Sequence, residues 1–213
     1  MDLIKSKINP LANWVDQSPL EPLLAASAAR HRHLCPRQVL GVRIGLAGAT
    51  ALGLEAPRTD KRLQTIAETP GCFLDGLEAA TGTAPGNRTM FIVDYGKVAA
   101  AFIDVKTGRA IRVMPQHDIR QRAHLYAPSE TRRYFAMLHG YQAMPENELL
   151  SFQEIELDRP VEDWIGRAGA RTECASCGEE INNQREVVRN GVIQCRPCAG
   201  DAYYQDCTRA AGG

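Results

Sequence analysis

The chain has 213 residues, and its 25 basic side chains balance 25 acidic ones, so net charge excludes the strongly basic class that binds nucleic acid or anionic membranes unaided. A content of 44% hydrophobic and 23% charged residues excludes a disordered or fibrous chain and suffices for one ordinary core plus a small appendage. Residues 1–10 lack the apolar run of a secretory signal, and no stretch approaches the roughly 20 apolar residues of a membrane span. The seven cysteines are therefore expected in a reducing cytoplasm, where paired CxxC motifs read as metal or redox sites rather than as a disulfide framework.

In chain order, the Ala/Leu-rich residues 20–29 predict a helix that runs into His31-Arg32-His33-Leu34-Cys35-Pro36. Pro36 suits the first position of a second helix, to about residue 52, because its missing N–H costs nothing there. Cys35 is then its N-cap. Gly41, Gly45 and Gly48 fall on one face of that helix, with Leu52 behind them. Such a stripe implies a closely packed backbone, either from a symmetric partner or from within the chain.

Residues 63–67 predict a strand, and Pro70-Gly71-Cys72 opens a helix to about Thr81 that stops at Gly82. Strand candidates follow at 89–94, 98–104 and 109–113, joined by Tyr95-Gly96-Lys97 and Lys106-Thr107-Gly108, and they read as an antiparallel meander. Residues 129–139 predict a helix that buries Tyr134, Phe135 and Leu138 and closes at Gly140. Residues 152–157 add a strand, and 164–171 read as a linker. The expected fold is α+β: an antiparallel sheet with packed helices over residues 1–168, then a metal module over 169–213.

That module carries Cys174-x2-Cys177 and Cys195-x2-Cys198. Each CxxC forms a tight knuckle aiming two sulfurs at one point, and two knuckles complete the tetrahedral four-thiolate shell of a structural zinc. A pair of redox dithiols would need a thioredoxin-like context that is missing. Between the knuckles, residues 185–188 and 192–193 flank Asn190-Gly191, a favoured hairpin turn. A helix over 196–205 is expected to close the module, with Cys207 as a spectator. From Arg171 onward five Arg face six Asp and Glu, a poor electrostatic footprint for DNA, so the module is expected to be structural or to contact protein.

A second constellation lies in the core. If extended, the segment places His31, His33 and Cys35 on one side. Cys35 and Cys72 each begin a helix, a position that favours a thiolate. Two thiolates with one or two imidazoles suit zinc or another borderline-soft metal, and Asp75 is a further ligand or a partner orienting a histidine. Two other readings remain open. The residues are two buried cysteines and two surface histidines, or Cys35 and Cys72 are catalytic thiols with His33 or His31 as acid/base.

These residues resemble the formylmethanofuran dehydrogenase FmdE-like family. The first block is His31-Arg32-His33-Leu34-Cys35-Pro36-Arg37 with Leu40-Gly41 and Arg43 behind it. The second is Cys72-Phe73-Leu74-Asp75 with Thr81-Gly82, and the third is Asp94-Tyr95-Gly96-Lys97. Cys174 to Ile181 is similar to the start of a TraR/DksA-type finger. The resemblance implies a homodimeric α+β core with His31, His33, Cys35 and Cys72 gathered at a metal in a cleft. It also implies a role accessory to molybdenum or tungsten enzymes, with the finger docking on a partner; the alternatives are a zinc- or thiol-dependent enzyme using Cys35 and Cys72 on a small anionic substrate, and a metal-responsive regulator acting through protein contacts of the finger. Arg32 and Arg37 stand where the family pattern has Gly, Arg30 where it has an aromatic, and Thr83 where it has a Cys. The three arginines either make the cleft anion-selective or close it.

Overall fold

The computed structural model describes residues 20–31 and 33–205, the side chain of His31 excepted, and divides the chain into units 1–157 and 158–213.

In the first unit, helix α1 (Leu20–His31) leads into α2 (Pro36–Ala51). Cys35 is extended at the α2 N-cap, with Pro36 following it. Gln38 ties this corner together: its Oε1 accepts from the Cys35 N–H at 2.8 Å, and its Nε2 donates to the Ser27 carbonyl of α1 at 2.9 Å. Buried polar groups need such partners, and both ends of this amide have one. Strand β1 (Leu63–Ala67), α3 (Cys72–Thr81), β2 (Met90–Ile92), β3 (Ala100–Asp104) and β4 (Ala110–Pro115) follow. A short helix α4 (Ile119–Arg122), a 3-10 turn (Ala123–Leu125), α5 (Arg133–Ala143), α6 (Glu146–Leu149) and β5 (Leu150–Ile155) complete the unit.

The sheet order is β2-β1-β3-β4-β5. Strands β1, β3, β4 and β5 pair antiparallel, whereas β2 lies parallel to β1 on the edge. The expected meander is therefore corrected: β2 and β3 are not neighbours, and Tyr95-Gly96-Lys97 is not a hairpin turn. The cause is local. The N–H groups of Tyr95 and Lys97 donate to the Glu68 carbonyl, and that of Glu68 donates to Ala99, so the loop crosses the end of β1 and delivers β3 to its far side.

Helix α2 is the centre of the unit, buried along nearly its whole length. Its glycine stripe is filled from within the chain. A Cβ on Gly41 would overlap the Phe73 carbonyl and come within 2.9 Å of the Gly76 Cα. One on Gly45 would sit 2.8 Å from the Ala80 Cβ, and one on Gly48 would strike the Phe102 ring. The stripe thus seats α3 and β3 and leaves no argument for a symmetric helix pair. Phe73, Leu77, Ile44, Phe102 and Leu63 are fully buried around it, each contributing about 1.5–3 kcal/mol of transfer free energy.

Helix α5 departs from expectation. Tyr134 and Phe135 are exposed at 43% and 37%, and Leu138 is half-buried; the buried face is Ala136, Gly140 and Tyr141. Gly140 lies inside the helix, because only a residue without Cβ clears the Ala123 carbonyl. The C-terminus is held by Arg43 of α2, whose guanidinium donates to the carbonyls of Tyr141 at 3.0 Å, Gln142 at 3.1 Å and Met144 at 2.9 Å. A buried cation is tolerated there because the last carbonyls of a helix carry partial negative charge.

The second unit holds α7 (Val161–Ile165) and two hairpins, β6 (Arg171–Glu173) with β7 (Glu180–Asn182), and β8 (Val187–Arg189) with β9 (Val192–Gln194). Asn190 and Gly191 both have positive φ, as the turn chemistry predicts. The expected helix over 196–205 is absent. The chain makes a single turn after Cys195, with the Ala199 N–H donating to its carbonyl, and Gly200 at φ 93° ends it. Among the described residues, no helix is long and apolar enough to cross a membrane.

Candidate metal centres

In the second unit, Cys174 follows β6 and Cys195 follows β9. Each begins a knuckle closed by backbone hydrogen bonds: Gly178 N–H to the Cys174 carbonyl, and Ala199 N–H to that of Cys195, both 2.9 Å. The Ala175 N–H donates to the Ile193 carbonyl and stitches one knuckle to the other hairpin. The sulfurs of Cys174, Cys177, Cys195 and Cys198 lie within 4.8 Å of one another, with Cys177 Sγ 3.9 Å from Cys195 Sγ. Four sulfurs each about 2.3 Å from one zinc stand about 3.8 Å apart, so the donor set fits that ion.

The thiol acidities point the same way. The Cys195 N–H donating to Cys174 Sγ at 3.3 Å is the main cause that brings the Cys174 thiol down to about 6. The hydrogen bond with Cys195, then burial and the other sulfurs, push Cys198 up to about 12. Four thiols this close do not all ionise without a cation; a divalent metal removes the conflict.

The core constellation is assembled by tertiary packing. The α2–α3 contact at Gly41 and Gly76 brings Cys35, buried at the start of α2, to Cys72, half-buried at the start of α3. The two thiols lie close enough to interact electrostatically. Burial, then the Cys35 thiol, push the Cys72 thiol above its ordinary value, while the Arg37 charge counteracts. At Cys72 the helix N-terminus therefore does not prevail: a dithiol without metal keeps a proton. Tyr134 of α5 stands beside the pair. Its hydroxyl donates to the Leu34 carbonyl at 3.4 Å, and burial and the charges of Cys35 and Cys72 raise its pKa.

The rest of the segment is arranged differently from an extended run. His31 is the last residue of α1, with its side chain outside the described residues, and Arg32 lies outside them altogether. His33 is exposed. Among the described residues, no His, Asp or Glu ligand atom joins the Cys35 and Cys72 sulfurs in a group of three, so neither His33 nor Asp75 does. Arg30 forms an ion pair with Glu78 of α3. Lys97 is exposed, 5.9 Å over the Tyr95 ring. Thr83 is buried and hydroxyl-linked to Thr81 at 2.7 Å and Thr65 at 3.0 Å, so a short polar chain occupies its place. Cys207 lies outside the described residues. Tyr134 was not predictable as a neighbour of the dithiol: it is 100 residues from Leu34, and no local pattern marks it.

An α+β unit with a helix-start dithiol, followed by a four-cysteine finger that fits zinc, defines a two-part protein of the zinc-finger class. Residues 30–157 match the family described as FmdE, molybdenum formylmethanofuran dehydrogenase operon, and the chain belongs to that family. Residues 167–204 match the prokaryotic dksA/traR C4-type zinc finger, so the four cysteines are the structural zinc group of such a finger. The chain is 33% identical, over 226 aligned positions and 94% of its length, to a protein of Archaeoglobus fulgidus named a probable S-adenosyl-L-methionine-binding protein. It spans 60% of that relative's length. A crystal structure of a tungsten formylmethanofuran dehydrogenase FmdE-like protein from Syntrophus aciditrophicus has a TM-score of 0.57 at 19% identity, covering 90% of this chain and 97% of the other. That likeness concerns the fold.

Proposed function

We propose that this zinc-binding FmdE family member carries a second metal, zinc or another borderline-soft ion, at Cys35 and Cys72. His33 and His31 are its further candidate ligands. The protein serves in the cytoplasm as a homodimeric accessory to molybdenum- or tungsten-enzyme metabolism, and the finger docks on a protein partner. The observation that carries the metal reading is the pairing of two thiols at helix starts. Two adjacent thiols that cannot both ionise alone gain most from a shared cation, and a soft divalent ion is the one that thiolates select.

Metal content measured on wild type, Cys35→Ala and Cys72→Ala tests it. Two metals per chain falling to one in either variant supports the core site, while one metal in all three sinks it. Anomalous scattering from crystals then identifies the ion and its ligands.

A second reading rests on the relative from Archaeoglobus fulgidus, which shares sequence with nearly all of this chain and is named a probable S-adenosyl-L-methionine-binding protein. Calorimetric titration of the metal-loaded protein with that compound separates the two. Saturable binding favours a small-molecule carrier, and absence of heat leaves the metal reading alone.

A further inference from the structure

A cavity of about 510 Å³ opens on the first unit between α4 with its following turn and the start of α5. Arg120, Gln121 and His124 line one side, and Glu130, Thr131 and Arg133 the other. Several arginines of this unit are held in ion pairs: Arg30 by Glu78, Arg58 by Asp60, Arg62 by Asp104, Arg112 by Glu68, and Arg122 by Asp118 and Glu148. Arg120 and Arg133 are not among these, and they are the two arginines of the cavity lining. Neither has a hydrogen-bond or ion-pair partner among the described residues, yet both line one cavity. Both also act electrostatically on the buried Tyr141 phenol, which ties them to one neighbourhood.

The remaining groups suit an anion. Glu130, the acid of the lining, is already engaged by His139 Nδ1 at 2.7 Å. His124 Nδ1–H donates to the Gln121 carbonyl at 2.6 Å, which fixes the ring and leaves Nε2 for another partner. Gln121 and Thr131 add neutral donors. Two guanidiniums in one concave site match the oxygens of a tetrahedral dianion, which each fork meets with paired N–H donors. The volume exceeds what bare phosphate fills and falls within the range of small-ligand sites.

We propose that this cavity is a binding site for the phosphate group of a small phosphorylated molecule, held between Arg120 and Arg133. It is separate in residues from both cysteine sites and stands whether or not the core binds metal.

The test is titration of the full-length, zinc-loaded protein with inorganic phosphate and with a nucleoside 5′-monophosphate, followed by 31P line broadening and calorimetry. Saturable binding is expected, weakened about tenfold by Arg120→Gln or Arg133→Gln and abolished in the double variant. Tighter binding of the monophosphate than of phosphate identifies an organic phosphate as the occupant; equal affinity identifies the free anion, with the site intact in both cases. Arg109→Gln, in the β3–β4 turn, serves as a control that leaves binding unchanged. Circular dichroism and zinc content verify that the variants fold, and the conservative Arg120→Lys, keeping charge without the fork, should retain part of the affinity. The proposal is overturned by absence of binding at millimolar ligand. It is equally overturned by undiminished affinity in the folded double variant, or by a loss in Arg37→Gln matching that in Arg120→Gln, which would place the anion at the dithiol.

Discussion

The two cysteine sites of this protein are built by opposite means. The finger collects four sulfurs from two short knuckles within 25 residues, and the hairpin between them closes with a turn written into Asn190-Gly191. The core dithiol joins residues 37 positions apart, and only the packing of α2 against α3 brings Cys35 to Cys72. The first site has little apolar core of its own and depends on its ion. The second is a by-product of a core that folds for other reasons, so the pairing of its thiols rests on helix packing rather than on an ion. The difference teaches where folding energy resides: in the metal for one, in buried helix contacts for the other.

Chelation is the most forceful way to break this comparison. Removing metal from the wild type should unfold the finger, since apparent zinc binding in such modules is worth about 10–16 kcal/mol of folding energy. Hydrogen exchange should show lost protection over β6 to β9 while α2, α3 and the sheet keep theirs. Simultaneous loss in the first unit would mean that the core also depends on metal. The next largest effect is expected from Gly76→Val. Its Cβ would lie 2.8 Å from the Val42 nitrogen and overlap the Gln38 carbonyl, so α3 must move away from α2. Destabilisation of about 3 kcal/mol in denaturant is expected. A trivalent arsenical should also fail to bridge Cys35 and Cys72, as mapped by mass spectrometry. Intact bridging in the variant would refute helix packing as the agent that pairs the thiols.

Legibility followed the same divide. The four finger ligands could be read directly, because a CxxC knuckle is local and its spacing dictates its geometry. The longer helices and the strands of the first unit were also legible, as was the start of α2 at Cys35-Pro36. What was not legible depended on contacts distant in sequence. Strand β2 reads like the first arm of a hairpin until Glu68 captures the backbone of Tyr95 and Lys97. Tyr134 and Phe135 were expected to be buried because they are large and aromatic, yet Gly140 and Ala136 turn inward because α5 approaches the Ala123 carbonyl so closely. The turn after Cys195 reads as a helix start, but the knuckle geometry and Gly200 stop it after one turn.

A pH experiment sharpens the comparison with a smaller effect. The Arg62 guanidinium donates two hydrogen bonds to Asp104, at 2.8 and 2.7 Å, and holds its carboxyl well below the usual carboxylate range; the Lys106 N–H and the Thr107 hydroxyl add to this. Because the folded pKa is depressed, the stabilisation is fully present above the unfolded value of about 3.9 and is lost as pH falls from there toward the folded value. Asp104→Asn should cost about 2 kcal/mol at neutral pH, less than a fully buried pair would lose, because Arg62 is one-third exposed. It should also flatten the acid limb of the first unit's unfolding curve. An unchanged acid limb would show that other carboxylates govern it. The finger should be indifferent to this substitution, which hydrogen exchange over β6 to β9 checks.

The smallest effect concerns Tyr134, the aromatic side chain of α5 beside the core dithiol. Tyr134 is 43% exposed, and its hydroxyl makes a single long hydrogen bond at 3.4 Å, so neither Tyr134→Phe nor Tyr134→Ala should change stability by more than about 0.5 kcal/mol. If its ring screens the thiols from solvent, removing it must expose them. Alkylation of Cys35 and Cys72 in the metal-stripped protein should then quicken about threefold in Tyr134→Ala and stay near wild type in Tyr134→Phe, because access to the thiol contributes to its reactivity. Equal acceleration in both variants would assign the effect to the hydroxyl rather than the ring. No acceleration in either would mean that α5 does not guard the dithiol, leaving Cys72 shielded by α2 alone.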